Sequence, residues 1–102
     1  MNKRLAMLEK MTAASVADPF AFYALALEYR KEGRVQDALK TFETLRSHHP
    51  EYLPMYLMAG QMLVSESRNA EARQWLESGI ALAHQKGDTK TLGELQSELA
   101  NA

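Results

Sequence analysis

The sequence predicts an all-α fold, an α-solenoid of about six helices arranged as antiparallel pairs. Two stretches match each other at an offset of 34 residues, and a period near this length is typical of stacked helix-turn-helix units. Strand signals are absent, because alanine, leucine, glutamate, lysine and glutamine dominate and no two-residue alternation is sustained. The residues that match across the offset are Phe22 and Tyr56, Ala26 and Gly60, Arg34 and Arg68, Asp37 and Glu71, Ala38 and Ala72, and Phe42 and Leu76.

Residues that start and stop helices divide the chain. Asp18 and Pro19 form a helix start, with aspartate as N-cap and proline in the first turn. Gly33 suits the left-handed residue that ends a helix, Pro50 follows another helix end, and Gly87 marks a further stop. The predicted helices cover residues 2–15, 19–32, 35–48, 53–66, 69–86 and 89–100.

Each predicted helix has one apolar face with a spacing of three and four residues. We expect a single domain over residues 1–102, with a flanking helix at 2–17, repeats at 18–51 and 52–86, and a capping helix at 88–102. Trp75 is expected to fill the core or an interface. In chain order the apolar faces carry Leu5, Leu8 and Met11 or Thr12; Phe22, Leu25, Ala26 and Tyr29; Ala38, Leu39, Phe42 and Leu45; Tyr56, Ala59, Gly60 and Leu63; Ala72, Trp75, Leu76, Gly79, Ile80 and Ala83; and Leu92, Leu95 and Leu99.

Small residues recur at equivalent positions of the two repeats. Ala26 and Gly60 occupy the same place in the second and fourth helices, and Ala38 and Ala72 do so in the third and fifth. Helix axes that approach to about 8 Å leave room for little or no side chain. These positions are therefore predicted to be the closest helix–helix contacts.

The composition excludes several function classes. The chain has 102 residues, 46% hydrophobic and 25% charged, which is ordinary for a single globular domain. A net charge of -1 gives no general basic surface for nucleic acid. The absence of cysteine excludes disulfides, thiolate metal sites and cysteine nucleophiles. No phosphate-binding glycine loop or catalytic triad pattern is present, so we expect no enzyme and no cofactor.

We expect no signal peptide in the first residues. Lys3 and Arg4 resemble the start of one, but Glu9 and Lys10 interrupt the apolar segment. No window approaches the 18 apolar residues that a membrane span requires. We expect a cytoplasmic protein without a membrane partner.

The repeated pattern resembles the tetratricopeptide repeat. The second unit departs from the family at His84, which stands where a closing proline is usual. The layout also resembles small stand-alone bacterial proteins with two such repeats between flanking helices. The first unit supplies Phe22, Leu25, Ala26, Tyr29, Ala38, Phe42 and Pro50, and the second supplies Tyr56, Ala59, Gly60, Leu63, Ala72 and Leu76.

The resemblance implies a protein-interaction module, because in this family the first helices of successive units line a concave groove for a peptide or a helix. A basic rim at Arg30 and Lys31 would favour an acidic segment. The alternative is that several of these side chains pack on the flanking helices. The inner-face positions are Phe20, Tyr23, Leu27, Arg30 and Lys31 on the second helix, and Leu57, Met58, Gln61 and Val64 on the fourth.

Three further interpretations have weaker support. The carboxylate clamp of some family members is missing, because Tyr23, Leu27, Met58 and Gln61 occupy the equivalent places. The adjacent residues His48 and His49 point about 100° apart on a helix and do not share a face, so we expect no metal site. A homodimer through exposed helix faces is the structural alternative to partner binding.

Overall fold

Six α-helices account for the secondary structure of the described chain. The computed structural model describes residues 1–13 and 18–102, and no strand occurs in these two ranges. The predicted all-α helical-repeat fold is confirmed. Positions 14 and 15, at the predicted end of the first helix, lie outside the described residues. The helices are α1 Lys3–Ala13, α2 Pro19–Lys31, α3 Val35–His48, α4 Pro54–Ser65, α5 Asn69–Lys86 and α6 Thr89–Ala100.

Capping carboxylates or prolines mark the starts of α2, α4 and α6. The Asp18 carboxylate accepts a hydrogen bond from the backbone N–H of Phe20 at 3.0 Å, which satisfies one of the free donors in the first turn of α2. The Asp88 carboxylate does the same for the backbone N–H of Thr91 at 3.0 Å, at the start of α6. Pro54 begins α4, one residue later than predicted. Proline fits the first turn because a backbone N–H there would have no carbonyl partner within the helix.

Left-handed residues end three of the helices. Gly33 has a φ of 75° and Gly87 a φ of 69°, and Ser67 takes the same conformation with a φ of 58°. The prediction for Gly33 is confirmed. Ser67 lies 34 residues beyond Gly33, so the two repeats make the same turn with different residues.

The chain divides into two compact units, Met1–Tyr52 and Leu53–Ala102. In the first unit α2 packs against both α1 and α3. Phe42 and Leu45 of α3 are fully buried, as is Ala26 of α2. In α1, Leu5 and Leu8 are buried.

The face of α1 that packs inward ends at Thr12 and not at Met11. Thr12 is half-buried, and its hydroxyl donates to the backbone carbonyl of Leu8 at 2.9 Å. Met11 is 51% exposed. This settles the choice between the two residues that the periodicity left open.

In the second unit α5 packs against α4 and α6. Met62 and Leu63 of α4, Leu76 of α5 and Leu95 of α6 are buried with almost no exposed surface. Trp75 is 4% exposed, and its ring lies 5.9 Å from that of Tyr56. The unit therefore has a continuous apolar interior across three helices.

Candidate functional site

Five of the predicted groove residues lie on α2, and they share one side of it. Positions 20, 27 and 31 follow one another along the helix at a spacing of seven and four, and positions 23 and 30 lie beside them. Phe20 is 59% exposed, Lys31 is exposed, and Tyr23, Leu27 and Arg30 are half-exposed. We refer to these five side chains as the exposed face of α2.

The opposite sides of α2 are occupied by its neighbours in the first unit. Leu25, Ala26 and Tyr29 are buried, and so are Ala21 and Ala24. Since α1 and α3 are the helices packed on α2 within this unit, the five side chains of the exposed face lie away from both of these contacts, and Phe22 is a further half-exposed side chain of α2 outside this face.

Aromatic rings surround the N-terminal end of this face. The ring of Tyr23 lies 5.5 Å from that of Tyr52 in an edge-on arrangement of 60°, and 6.4 Å from that of Phe20. Such tilted contacts are favourable for aromatic pairs. Burial, followed by the neighbouring Tyr52, raises the pKa of Tyr23. Burial, followed by the charge of Asp18, raises the pKa of Tyr52. Both phenols are therefore neutral hydrogen-bonding groups at neutral pH.

The C-terminal end of the face is cationic, and its two charged side chains differ in their pairing. Lys31 lies 4.0 Å from a carboxylate oxygen of Glu28, whereas Arg30 forms no ion pair with any residue in the described part of the chain. The guanidinium of Arg30 is therefore open to an external carboxylate.

Glu28 is a buried carboxylate that holds α1 against α2. It is 7% exposed, and it accepts hydrogen bonds from Asn2 at 3.0 Å and Arg4 at 3.1 Å. The hydrogen bond from Asn2, followed by the charges of Lys31 and Arg4, lowers the pKa of Glu28 below its usual range. A buried charge with several partners suits a structural role.

A second polar contact joins the same two helices. The Tyr29 hydroxyl donates to a carboxylate oxygen of Glu9 at 2.5 Å. Burial, followed by this hydrogen bond, raises the pKa of Tyr29 to about 12. Arg34 lies over the ring of Tyr29, 4.6 Å from its centroid. Tyr29 therefore acts as a structural residue at the junction of α1, α2 and the turn before α3.

The other four predicted residues lie on α4, in the second unit. Met58, Gln61 and Val64 are half-exposed, while Leu57 is 8% exposed and contributes almost no accessible surface. The predicted residues of α2 and those of α4 thus both include side chains that a ligand could contact. Leu57 stays a predicted member of the groove, although its side chain is buried.

Sequence reasoning missed one contributor to the aromatic end of the exposed face of α2, Tyr52, and it assigned Asp18 only the role of a helix cap. Tyr52 lies between α3 and α4. The apolar spacing of a helix assigns residues to a face only within the helix, so it gave no position for Tyr52. One sequence signal was available. Tyr52 follows Pro50 by two positions, and proline restricts the backbone conformation of the segment that contains it.

The described residues contain no feature of two other site classes. Across residues 1–13 and 18–102, no three His, Asp or Glu side chains are grouped as metal ligands would be. In the same ranges, every helix is too short or too polar to cross a bilayer.

Solved structures of other proteins are similar to this chain. A tetratricopeptide repeat domain protein from Salinibacter ruber is 35% identical, and its crystal structure matches with a TM-score of 0.74 over 81% of this chain and 93% of that chain. Its solution structure gives a TM-score of 0.76, again at 35% identity, over 81% and 84% of the two chains. A Bordetella parapertussis protein, 28% identical, matches over 98% of this chain and 87% of its own, with a TM-score of 0.82.

Comparison with family models and with curated protein sequences gives no match. The likeness to the Salinibacter ruber protein nevertheless combines substantial sequence identity with the same fold over most of both chains. The repeated residues that suggested the family from the sequence are those of the helices described above. The chain belongs to the tetratricopeptide repeat family.

Proposed function

We propose that the protein is a non-enzymatic interaction module of the bacterial cytoplasm that binds a peptide or a helix of a partner protein. The family membership supports the general class of interaction module. The finer proposal is a groove whose residues are Phe20, Tyr23, Leu27, Arg30 and Lys31 on α2, and Leu57, Met58, Gln61 and Val64 on α4.

The exposure of Phe20 is the observation that carries this proposal. A phenylalanine side chain with 59% of its surface exposed leaves apolar area in water, which costs about 25 cal/mol for each Å² that a ligand could cover. Phe20 is also not isolated, because Tyr23 and Leu27 expose further apolar surface on the same side of α2. Contiguous apolar surface of this kind usually marks an interaction site.

The side chains suit recognition of a protein segment. Phe20 and Tyr23 offer rigid aromatic surface, which orders at a low entropic cost. Met58 of α4 has a flexible thioether that adapts to different ligand shapes. Arg30 supplies several N–H donors in a planar arrangement that matches a carboxylate. An acidic partner segment therefore fits better than a basic one.

The proposal is tested with two separate variants, one of which introduces a carboxylate on α2 and the other on α4. A partner segment is first identified as a peptide that the wild type captures from a peptide library, and it is then titrated against Leu27→Asp and Met58→Asp. Each single variant should then weaken binding of that peptide by about tenfold or more, since a buried unpaired charge is costly in an interface. Gln74→Asp introduces the same group at an exposed position of α5 and should leave affinity unchanged. Variants that are folded by circular dichroism and bind as tightly as wild type would contradict the groove.

Self-association is the second candidate, and exposed methionines on α1 favour it. Met7 and Met11 are 54% and 51% exposed and lie one turn apart on the same line of the helix. Light scattering at micromolar concentration should show a dimer that Met7→Ser with Met11→Ser converts to a monomer. A wild-type protein that stays monomeric over this range would rule out the dimer as its working state.

A further inference from the structure

The exposed face of α2 has two chemically different ends. Phe20 and Tyr23 form an aromatic end, to which Tyr52 adds a third ring. Arg30 and Lys31 form a cationic end, two to three turns further along the helix. A ligand that lies along this face therefore contacts apolar surface at the N-terminal end of α2 and positive charge at its C-terminal end.

The charges of the first unit reinforce this order. The carboxylate of Asp18 lies at the aromatic end, where it caps α2 and its charge acts on Tyr52. A ligand carboxylate is repelled there and attracted at Arg30. Because Lys31 lies close to Glu28, we expect Arg30 to provide most of that attraction. One orientation of an acidic ligand is thereby favoured over the reverse.

The length of α2 between the two ends fixes a spacing. Tyr23 and Arg30 are seven residues apart, or about 10.5 Å along the helix axis, and Phe20 and Arg30 are ten apart, or about 15 Å. An extended peptide advances by about 3.3 Å per residue. Three to five peptide positions therefore cover the distance from the aromatic end to the cationic end.

We infer that the partner segment is an extended peptide in which an aromatic or large apolar side chain and a carboxylate are three to five positions apart. The aromatic group would pack on Phe20 and Tyr23, where tilted ring contacts are available. The carboxylate would bind Arg30 through paired N–H donors. This inference rests on the proposed function and specifies its ligand.

Synthetic peptides test the spacing directly on the full chain. Each labelled peptide carries one tryptophan and one glutamate in a serine-rich background, separated by one, four or eight positions, in both chain orders. Fluorescence anisotropy should give an affinity for separation four that is at least about fivefold higher than for separation one. Replacing the glutamate with lysine should remove this gain, and added salt should reduce it, because the attraction is electrostatic.

A charge-reversal variant tests whether Arg30 binds the peptide carboxylate. Arg30→Glu should lower the affinity for the glutamate peptide by about tenfold and raise that for the lysine peptide. Lys40→Glu is the matched control, because it makes the same charge change at an exposed position of α3. It should leave both affinities within about twofold of wild type, since distant exposed charges are screened.

Failure of the inference is distinguishable from failure of the proposed function. Equal affinity at all separations, or no effect of Arg30→Glu, would overturn the inference while an α2 groove remained. Preference for separation eight with induced helical circular dichroism would indicate a helical ligand and would also overturn it. A captured partner segment whose binding is insensitive to Leu27→Asp would instead contradict the proposed function.

Discussion

The backbone of Gly60 lies directly against the side chain of Leu76, where α4 packs on α5. A Cβ atom on Gly60 would lie 2.3 Å from Cδ2 of Leu76 and 2.6 Å from its Cγ. Leu76 has no exposed surface, so its side chain has little room to move. The glycine therefore sets how closely the two helices approach, as the matching small residues of the repeats suggested.

Gly60→Ala should destabilise the protein although alanine favours helices. The clash with a buried leucine should cost about 1–3 kcal/mol, as in other overpacked cores, and the helix propensity of alanine returns at most about 1 kcal/mol. Urea denaturation should show a lower midpoint with an unchanged slope.

Gly93→Ala is the control for this prediction. Gly93 lies within α6 and is exposed, and a Cβ atom added there would meet no other atom within 4 Å. Only the difference in helix propensity applies at this position, so the variant should gain about 0.5–1 kcal/mol. A Gly60→Ala protein as stable as Gly93→Ala would mean that the close contact between α4 and α5 is not required.

Ser67→Gly should stabilise the protein. Ser67 and Gly33 make the same turn: each N–H donates to a carbonyl three residues earlier at 3.0 Å, and the following arginine N–H donates five residues back at 2.9 Å. Ser67 does so with a φ of 58°, which costs a non-glycine residue about 1 kcal/mol. Part of this gain is lost because glycine is more flexible when unfolded, so about 0.5 kcal/mol should remain. Thermal denaturation measures it, and a lower Tm for Ser67→Gly would contradict the expectation.

The stability contributed by Glu28 should depend on pH in the acid range. Because its folded-state pKa lies below the ordinary value of 4.5, its contribution is complete above that value and is lost as the pH falls through the lowered pKa. The difference in unfolding free energy between wild type and Glu28→Gln should therefore be constant near neutrality and shrink in acid. Glu32→Gln, at an exposed position, serves as the control.

A difference between wild type and Glu28→Gln that stays the same from neutral pH to acid would contradict this role of Glu28. The contact of α1 with α2 would then depend on Leu5 and Leu8, which are 7% and 6% exposed, and not on the carboxylate.

Much of the fold could be predicted because it depends on local signals. The apolar spacing identified Phe42 and Leu45 as core residues, and the types of the capping residues identified Asp18 and Gly33 as helix ends, since each of these properties is set by a few neighbouring residues. The choice between Met11 and Thr12 in α1 depended on packing against α2, and so it required the structure.

The features that escaped prediction depend on contacts between distant positions. The hydrogen-bond donors to Glu28 are Arg4 and Asn2, which precede it by 24 and 26 positions, and no local pattern shows that a glutamate is buried. Tyr52 joins the α2 face only because the chain returns to Tyr23 after α3. Ser67 adopts a left-handed conformation that is uncommon for serine, so the residue type did not indicate that a helix ends there.

Chemical-shift mapping tests most directly whether the exposed face of α2 receives the ligand. The ¹⁵N-labelled protein is titrated with the peptide in which tryptophan and glutamate are four positions apart. We expect the largest amide shifts between Asp18 and Lys31 and at Tyr52, and we expect Arg30→Glu to need about tenfold more peptide to reach the same shifts. Saturable shifts confined to α1, α3 or α6, with α2 unaffected, would contradict binding at this face.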